Sequence, residues 1–102
     1  MTGERWAIAE ILRVKANLLL ASGRGKAEEV EEALIESLEI ALQQQAKSWE
    51  LRSATSLARL WRDQGKPQQA RELLAPVYGW FTEGFDTRDL KEAKALLDAL
   101  AV

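Results

Sequence analysis

The stretch Ser48–Ala70, SWELRSATSLARLWRDQGKPQQA, carries the clearest structural signal in the chain. Its apolar residues recur at three- and four-residue steps, as on one face of a helix of about four turns. They are Leu51, Ala54, Leu57, Ala58 and Trp61. Gly65 then stands where a helix takes a left-handed terminal residue, and Pro67 stands where the next helix can begin without an N–H. A second apolar stripe opens at Ala70, so the stretch predicts two helices that fold back antiparallel on their apolar faces.

Composition excludes several classes of function. The 102 residues include 14 basic and 16 acidic ones, and the formal net charge of −2 argues against a nucleic-acid-binding protein. There are no cysteines and no histidines, which removes disulfides, thiol chemistry and the usual zinc ligands. We therefore expect no metal and no cofactor.

The apolar runs are short. The run Leu18–Ala21 is far below the ~20 residues that span a bilayer, and no signal segment opens the chain. We expect no membrane partner and a cytoplasmic location.

The remaining segments also have helical periodicity, and none alternates as a strand does. Ser48 is placed to cap the third helix, and Pro76 should bend the fourth. Asp86 should cap the last helix, with Phe85 and Leu90 as a hydrophobic staple. The predicted helices are 6–21, 26–45, 49–64, 67–82 and 87–100. The expected fold is all-α: one domain over 1–102, with antiparallel hairpins at about 6–45 and 49–82 and a capping helix at about 87–100.

The two hairpins share a pattern of small and large residues. Small residues that allow close helix approach are followed one turn later by a large residue, Leu19 in the first hairpin and Trp61 in the second. The small residues are Ala16, Ala33, Ala58 and Ala70. This pattern resembles the tetratricopeptide repeat, a helix-turn-helix unit of about 34 residues, and the last helix resembles the cap that ends such arrays.

A closer resemblance covers nearly the whole chain and is most specific in four segments of the second half: Ala46–Arg52, Leu57–Trp61, Leu74–Thr87 and Asp89–Ala93. They are similar to the C-terminal tetratricopeptide tail of large bacterial signalling and transcriptional regulators. In those proteins a nucleotide cyclase or DNA-binding domain and a P-loop ATPase module precede the tail. This chain has no G-x-x-x-x-G-K-[ST] motif. The resemblance therefore implies a sensor or scaffold tail without the catalysis of the larger proteins.

In such repeats the first helix of each hairpin lines a concave face. The polar stripe beside the apolar face of the third helix, with its equivalent on the first, suits a peptide carboxylate or an acidic segment. The candidate groove residues are Arg13, Asn17, Arg52, Thr55, Arg59 and Arg62. The alternative is a solvated helix face with pairs such as Arg59–Asp63.

Aromatic and apolar residues suggest a second surface. Trp6, Ile8 and Ile11 would form an exposed edge at the start of the first helix, through which we expect the chain to form a homodimer. Trp49 and Trp80 either pack the hairpins or anchor a partner.

No set of residues resembles a catalytic site. The glutamates between Glu28 and Glu39 fan around a helix, without the loop geometry of a calcium site. Asp86 and Asp89 are explained by helix capping. The sequence favours a non-catalytic protein–protein interaction module, with a small-molecule-sensing helical repeat as the alternative.

Overall fold

The chain folds into helices alone over the residues that the structure describes. This computed structural model describes residues 3–23, 26–84 and 87–100, without the side chains of residues 3–7, 9 and 20. The helices are α1 (Gly3–Ser22), α2 (Ala27–Gln43), α3 (Lys47–Asp63), α4 (Pro67–Gly79) and α5 (Arg88–Leu100). No strand occurs in those ranges. The predicted all-α fold of five helices is confirmed.

Helix α3 is the centre of the packing. It contacts each of the other four helices, and among the described residues no other helix does so. Leu57 and Leu60 pack into a cluster with α1 and α2, whereas Leu51, Ala54 and Ala58 pack into a second cluster with α4 and α5. Both clusters include aliphatic side chains that are almost fully buried, so the two hairpins are joined through α3.

More of α3 is buried than its apolar stripe predicts. Ser53, Thr55 and Ser56 are at most 4% exposed, because neighbouring helices cover the polar side of α3 as well. These short side chains allow close packing, and their hydroxyls have partners: Ser53 Oγ lies 2.7 Å from Ser37 Oγ of α2. A buried hydroxyl with a partner avoids the desolvation penalty of an unpaired polar group.

The observed helix ends differ from the predicted ones by up to three residues; α1, for example, begins at Gly3 and not at residue 6. Helix α3 begins at Lys47 with Ala46 as its N-cap, so Ser48 lies inside the first turn and does not cap it. The reason is the short connection: the Ala46 N–H still bonds to the Ala41 carbonyl of α2 at 3.0 Å, so one residue ends α2 and starts α3. Helix α4 runs through Pro76 as one helix, as predicted, but ends at Gly79 and not near residue 82. The expected cap at Asp86 and its staple with Phe85 lie outside the described residues.

The connection between α2 and α3 and the connection between α3 and α4 share one turn geometry. After α3, the Gly65 N–H bonds to the Arg62 carbonyl and the Lys66 N–H to the Trp61 carbonyl, which is the Schellman motif. After α2 the same two bonds form with Gln45 in the position of Gly65. Both residues have left-handed backbone, with φ of 79° at Gly65 and 54° at Gln45. Glycine adopts this conformation without the Cβ penalty, and glutamine does not.

Substitutions at Gly65 and Gln45 test the backbone strain in these two turns. A Cβ at Gly65 would meet no atom within 4 Å, so Gly65→Ala tests conformation alone. We expect it to lower the free energy of unfolding by about 1 kcal/mol, and Gln45→Gly to raise it by about half that amount or more. Thermal unfolding should register the first change as a fall in Tm of roughly 4–8 °C. Gly79→Ala is the control, because Gly79 lies in α4 without a positive φ; it should not destabilise the fold.

Candidate functional site

A polar cavity of about 290 Å³ lies where α1, α3 and α5 meet. Helices α1 and α5 both pack on α3, and among the described residues they do not pack on each other, so a gap remains between them on one side of α3. We call this cavity the arginine groove. Its lining residues are Arg13, Arg52, Thr55, Ser56, Arg59, Arg88, Asp89 and Glu92.

The central arginine of the groove is Arg52. Its Nε donates to Asp89 Oδ2 of α5 at 2.8 Å, and its Nη1 lies 3.8 Å from Glu10 Oε1 of α1. Its guanidinium also lies over the Trp49 ring, 4.7 Å from the ring centroid. Glu10 in turn pairs with Arg13, whose Nε donates to Glu10 Oε2 at 3.1 Å. Arg52 therefore joins α1 to α5 through their acidic side chains.

The outer end of the groove carries a looser charge group. Glu92 accepts a hydrogen bond from Arg88 Nε at 3.0 Å, and Arg59 Nη2 lies 3.5 Å from the other Glu92 oxygen. Including Glu10, the groove brings together four arginines and three carboxylates, which leaves a net charge of +1 from these side chains. The pairs of Arg59 and Arg88 share one carboxylate, so these guanidinium groups retain unused donors.

Two of these groups have shifted pKa values. The pKa of Glu92 is lowered, first by the hydrogen bond from Arg88 and also by the charge of Arg59. The pKa of Arg13 is raised, first by its hydrogen bond to Glu10. Both shifts favour the charged forms of these two side chains.

Four of the six predicted groove residues line the cavity together: Arg13, Arg52, Thr55 and Arg59. The Thr55 hydroxyl, however, donates to the Leu51 carbonyl of its own helix at 2.7 Å, so it shapes the wall of the groove and offers no free donor. The predicted alternative pair Arg59–Asp63 is not the one that forms: Arg59 pairs with Glu92.

The other two predicted residues lie beside the groove. Asn17 Nδ2 donates to Ser56 Oγ at 3.4 Å and so contacts the lining from α1. Arg62 is not part of the lining, and its Nε donates to Asp63 at 3.1 Å. It is one helical turn beyond Arg59, past the end of the cavity.

The sequence reasoning missed the acidic side of the groove. The sequence predicts Asp89 only as a capping residue and predicts no role for Arg88 or Glu92. Their i,i+4 spacing is visible in the sequence, but nothing local indicates that they face Arg52 and Arg59. Ser56 was missed because it lies between the apolar and polar stripes of α3.

The aromatic residues divide between the core and the surface. Trp61 was expected in the core; it is partly buried against both clusters, and its Nε1 donates to Glu31 Oε1 at 2.6 Å. Trp80 is 56% exposed, with Lys47 Nζ over its ring and Phe81 at its edge. In the predicted oligomer edge, Ile8 and Ile11 are exposed, and the Trp6 side chain lies outside the described residues.

Within 3–23, 26–84 and 87–100, no group of three acidic, histidine or cysteine side chains is placed to hold a metal ion. None of the helices described there combines the length and the apolar character needed to cross a membrane.

Comparisons with protein-family models, with curated proteins and with solved structures find no match to this chain. Its function must therefore be inferred from the groove and the exposed surfaces.

The Glu92 pairs predict a pH dependence. Because the folded-state pKa of Glu92 is lowered, its ionised form stabilises the fold; this contribution is present above the unfolded pKa of about 4.3 and is lost as the pH falls through the folded pKa. Glu92→Gln should flatten the fall in unfolding free energy between about pH 6 and about pH 3. Urea unfolding at several pH values measures this slope. Glu39→Gln, at an exposed position on α2, should keep the wild-type slope.

Proposed function

We propose that this protein is a non-catalytic interaction module that binds an acidic segment of another protein in the arginine groove. The observation that carries the proposal is the convergence of Arg13, Arg52 and Arg59 with Arg88 on one cavity. Guanidinium groups bind carboxylates through paired hydrogen bonds, and arginines from three helices can bind several carboxylates at once.

The internal ion pairs do not prevent such binding. Arg59 and Glu92 are 43% and 40% exposed, and pairs of this kind contribute about 0–1 kcal/mol each. A carboxylate of the partner can therefore replace Glu92 at little cost. Arg59 and Arg88 share Glu92, so some of their guanidinium N–H groups are unused. A carboxylate of the partner can accept hydrogen bonds from these N–H groups.

The architecture supports a scaffold role. Helices α1 and α3, the first helices of the two hairpins, are adjacent and both contribute to the groove. This is the arrangement that the tetratricopeptide resemblance implies for a concave binding face. We propose a cytoplasmic location and a role as the C-terminal regulatory part of a bacterial signalling regulator or as a relative of one.

The hydroxyls of the groove support binding over catalysis. The Thr55 hydroxyl donates to a backbone carbonyl, and the Ser56 hydroxyl accepts from Asn17. A nucleophilic hydroxyl needs a general base within hydrogen-bond reach, and neither of these described contacts supplies one.

The test compares two charge reversals on one helix. Arg59→Glu should weaken binding of a fluorescein-labelled glutamate-rich peptide by about tenfold or more, the equivalent of about 1.4 kcal/mol. Arg62→Glu is the matched control, because Arg59 and Arg62 have the same side-chain exposure of 43% and only Arg59 lines the groove. Fluorescence polarisation at two salt concentrations measures both effects.

A peptide in which glutamine replaces every glutamate should not bind measurably to the wild type or to either variant. Equal losses in the two variants would mean that general surface charge, and not the groove, attracts the peptide. That result would contradict the proposal.

The second candidate is a sensor of small anions. It is favoured by the cavity volume of about 290 Å³, at the lower end of the range of small-molecule sites. If this function is correct, citrate or inorganic phosphate should raise the Tm of the wild type and of Arg62→Glu but not that of Arg59→Glu, since a ligand that binds only the folded state stabilises it. If the groove serves peptides, we expect neither anion to shift the Tm beyond sodium chloride of equal ionic strength.

A further inference from the structure

Helix α1 has an apolar face that no described part of the chain covers. Ile11 and Leu18 are 63% and 64% exposed and Val14 is 41% exposed. Together with Glu10 and Lys15 they line a shallow groove along the outer side of the helix. Ala16, on the opposite side of α1, is fully buried against α2 and α3. The apolar face therefore points away from the body of the domain.

The residues of this face have the spacing of a coiled-coil seam. Ile11 and Leu18 are seven residues apart, and Val14 lies between them at a three-residue step. This assigns Ile11 and Leu18 to a positions and Val14 to a d position of a heptad. Glu10 and Lys15 then take the flanking g and e positions, one on each edge of the face. Charged residues at these positions select the partner helix and its direction.

We propose that α1 binds α1 of a second copy of this chain as a parallel, two-stranded helix pair around Ile11, Val14 and Leu18. Apart from Glu10, whose carboxylate also pairs with Arg13 and Arg52, this surface is separate from the arginine groove, and the proposal does not depend on peptide binding there. It moves the predicted dimer contact along α1, from Trp6, Ile8 and Ile11 to a seam that runs through Leu18.

Charge complementarity identifies the occupant and the direction. In a parallel pair with twofold symmetry, opposite edges of the two helices meet, so Glu10 of each copy faces Lys15 of the other, five positions further along. In an antiparallel pair, like edges meet, and the two Glu10 edges face each other. Glu10 also pairs with Arg13 on the groove side, so Lys15 of the second copy would approach the outer side of this carboxylate.

The extent of the seam limits the affinity. Helix α1 has 20 residues, which is fewer than three heptads, so the contact is at the low end of specific interface sizes. The dimer should therefore be weak and depend on protein concentration.

Introduced cysteines test the direction of the pair. The chain has no cysteine of its own, so Ile11→Cys and Leu18→Cys each provide one reporter. In the parallel pair Ile11 faces Ile11 of the second copy, and Leu18 faces Leu18 of the second copy. Both cysteine variants should therefore form disulfide-linked dimers under mild oxidation. Seven residues separate these positions by about 10 Å along the helix, so an antiparallel pair can bring only one of them within disulfide range. Glu36→Cys, exposed on α2, is the control that reports random collision.

Sedimentation equilibrium tests the dimer itself. The wild type should approach dimer mass between about 10 µM and 1 mM, and Leu18→Glu should remain a monomer with unchanged circular dichroism. Leu42→Glu is the matched control: Leu42 is 49% exposed on α2, and this variant should still form the dimer. A wild type that stays monomeric throughout, as it would if a different protein covered this face, would overturn the proposal. Cross-linking of only one of the two α1 cysteines would overturn the parallel direction.

Discussion

The structure depends on the burial of α3 by all four other helices. A helix can be covered on most of its circumference only if its polar side is small and hydrogen-bonded, and Ser53 and Thr55 meet both conditions. Leu57 packs towards α1 and α2, and Leu51 packs towards α4 and α5. Because α1 and α5 approach α3 from different sides, and no packing between them occurs in the described part of the chain, a cavity remains between them.

The charges of this cavity follow from the same geometry. Arg52 lies on the central helix, so it reaches both Asp89 of α5 and Glu10 of α1. It thereby links two helices that have no direct contact within the described ranges. The position of α5 therefore determines which arginines are paired and which retain free donors. The Arg59–Glu92 pair is exposed and contributes little stability, so the fold does not depend on it.

Helix α1 contributes to two different surfaces. Arg13 faces the arginine groove, Ala16 faces the core, and Ile11 with Leu18 faces outward. Only one side of α1 is buried in the core. The rest of its surface includes a charged part and an apolar part. The two proposals share only Glu10 on this helix, and the variants that test each proposal leave Glu10 and the other surface unchanged.

The sequence alone determined the local features. The helical periodicity of Leu51, Leu57 and Ala58, and the turn at Gly65, depend on residues within a few positions of each other, which is why the five helices and their order could be predicted. The convergence of Arg13, Arg52 and Arg59 followed from the expectation that α1 and α3 lie side by side. The tertiary structure decided the rest: Asp89 meets Arg52 across 37 positions of the chain, and Ser53 is buried because α2 covers it. These contacts depend on how whole helices pack, and no spacing within a single helix contains that information.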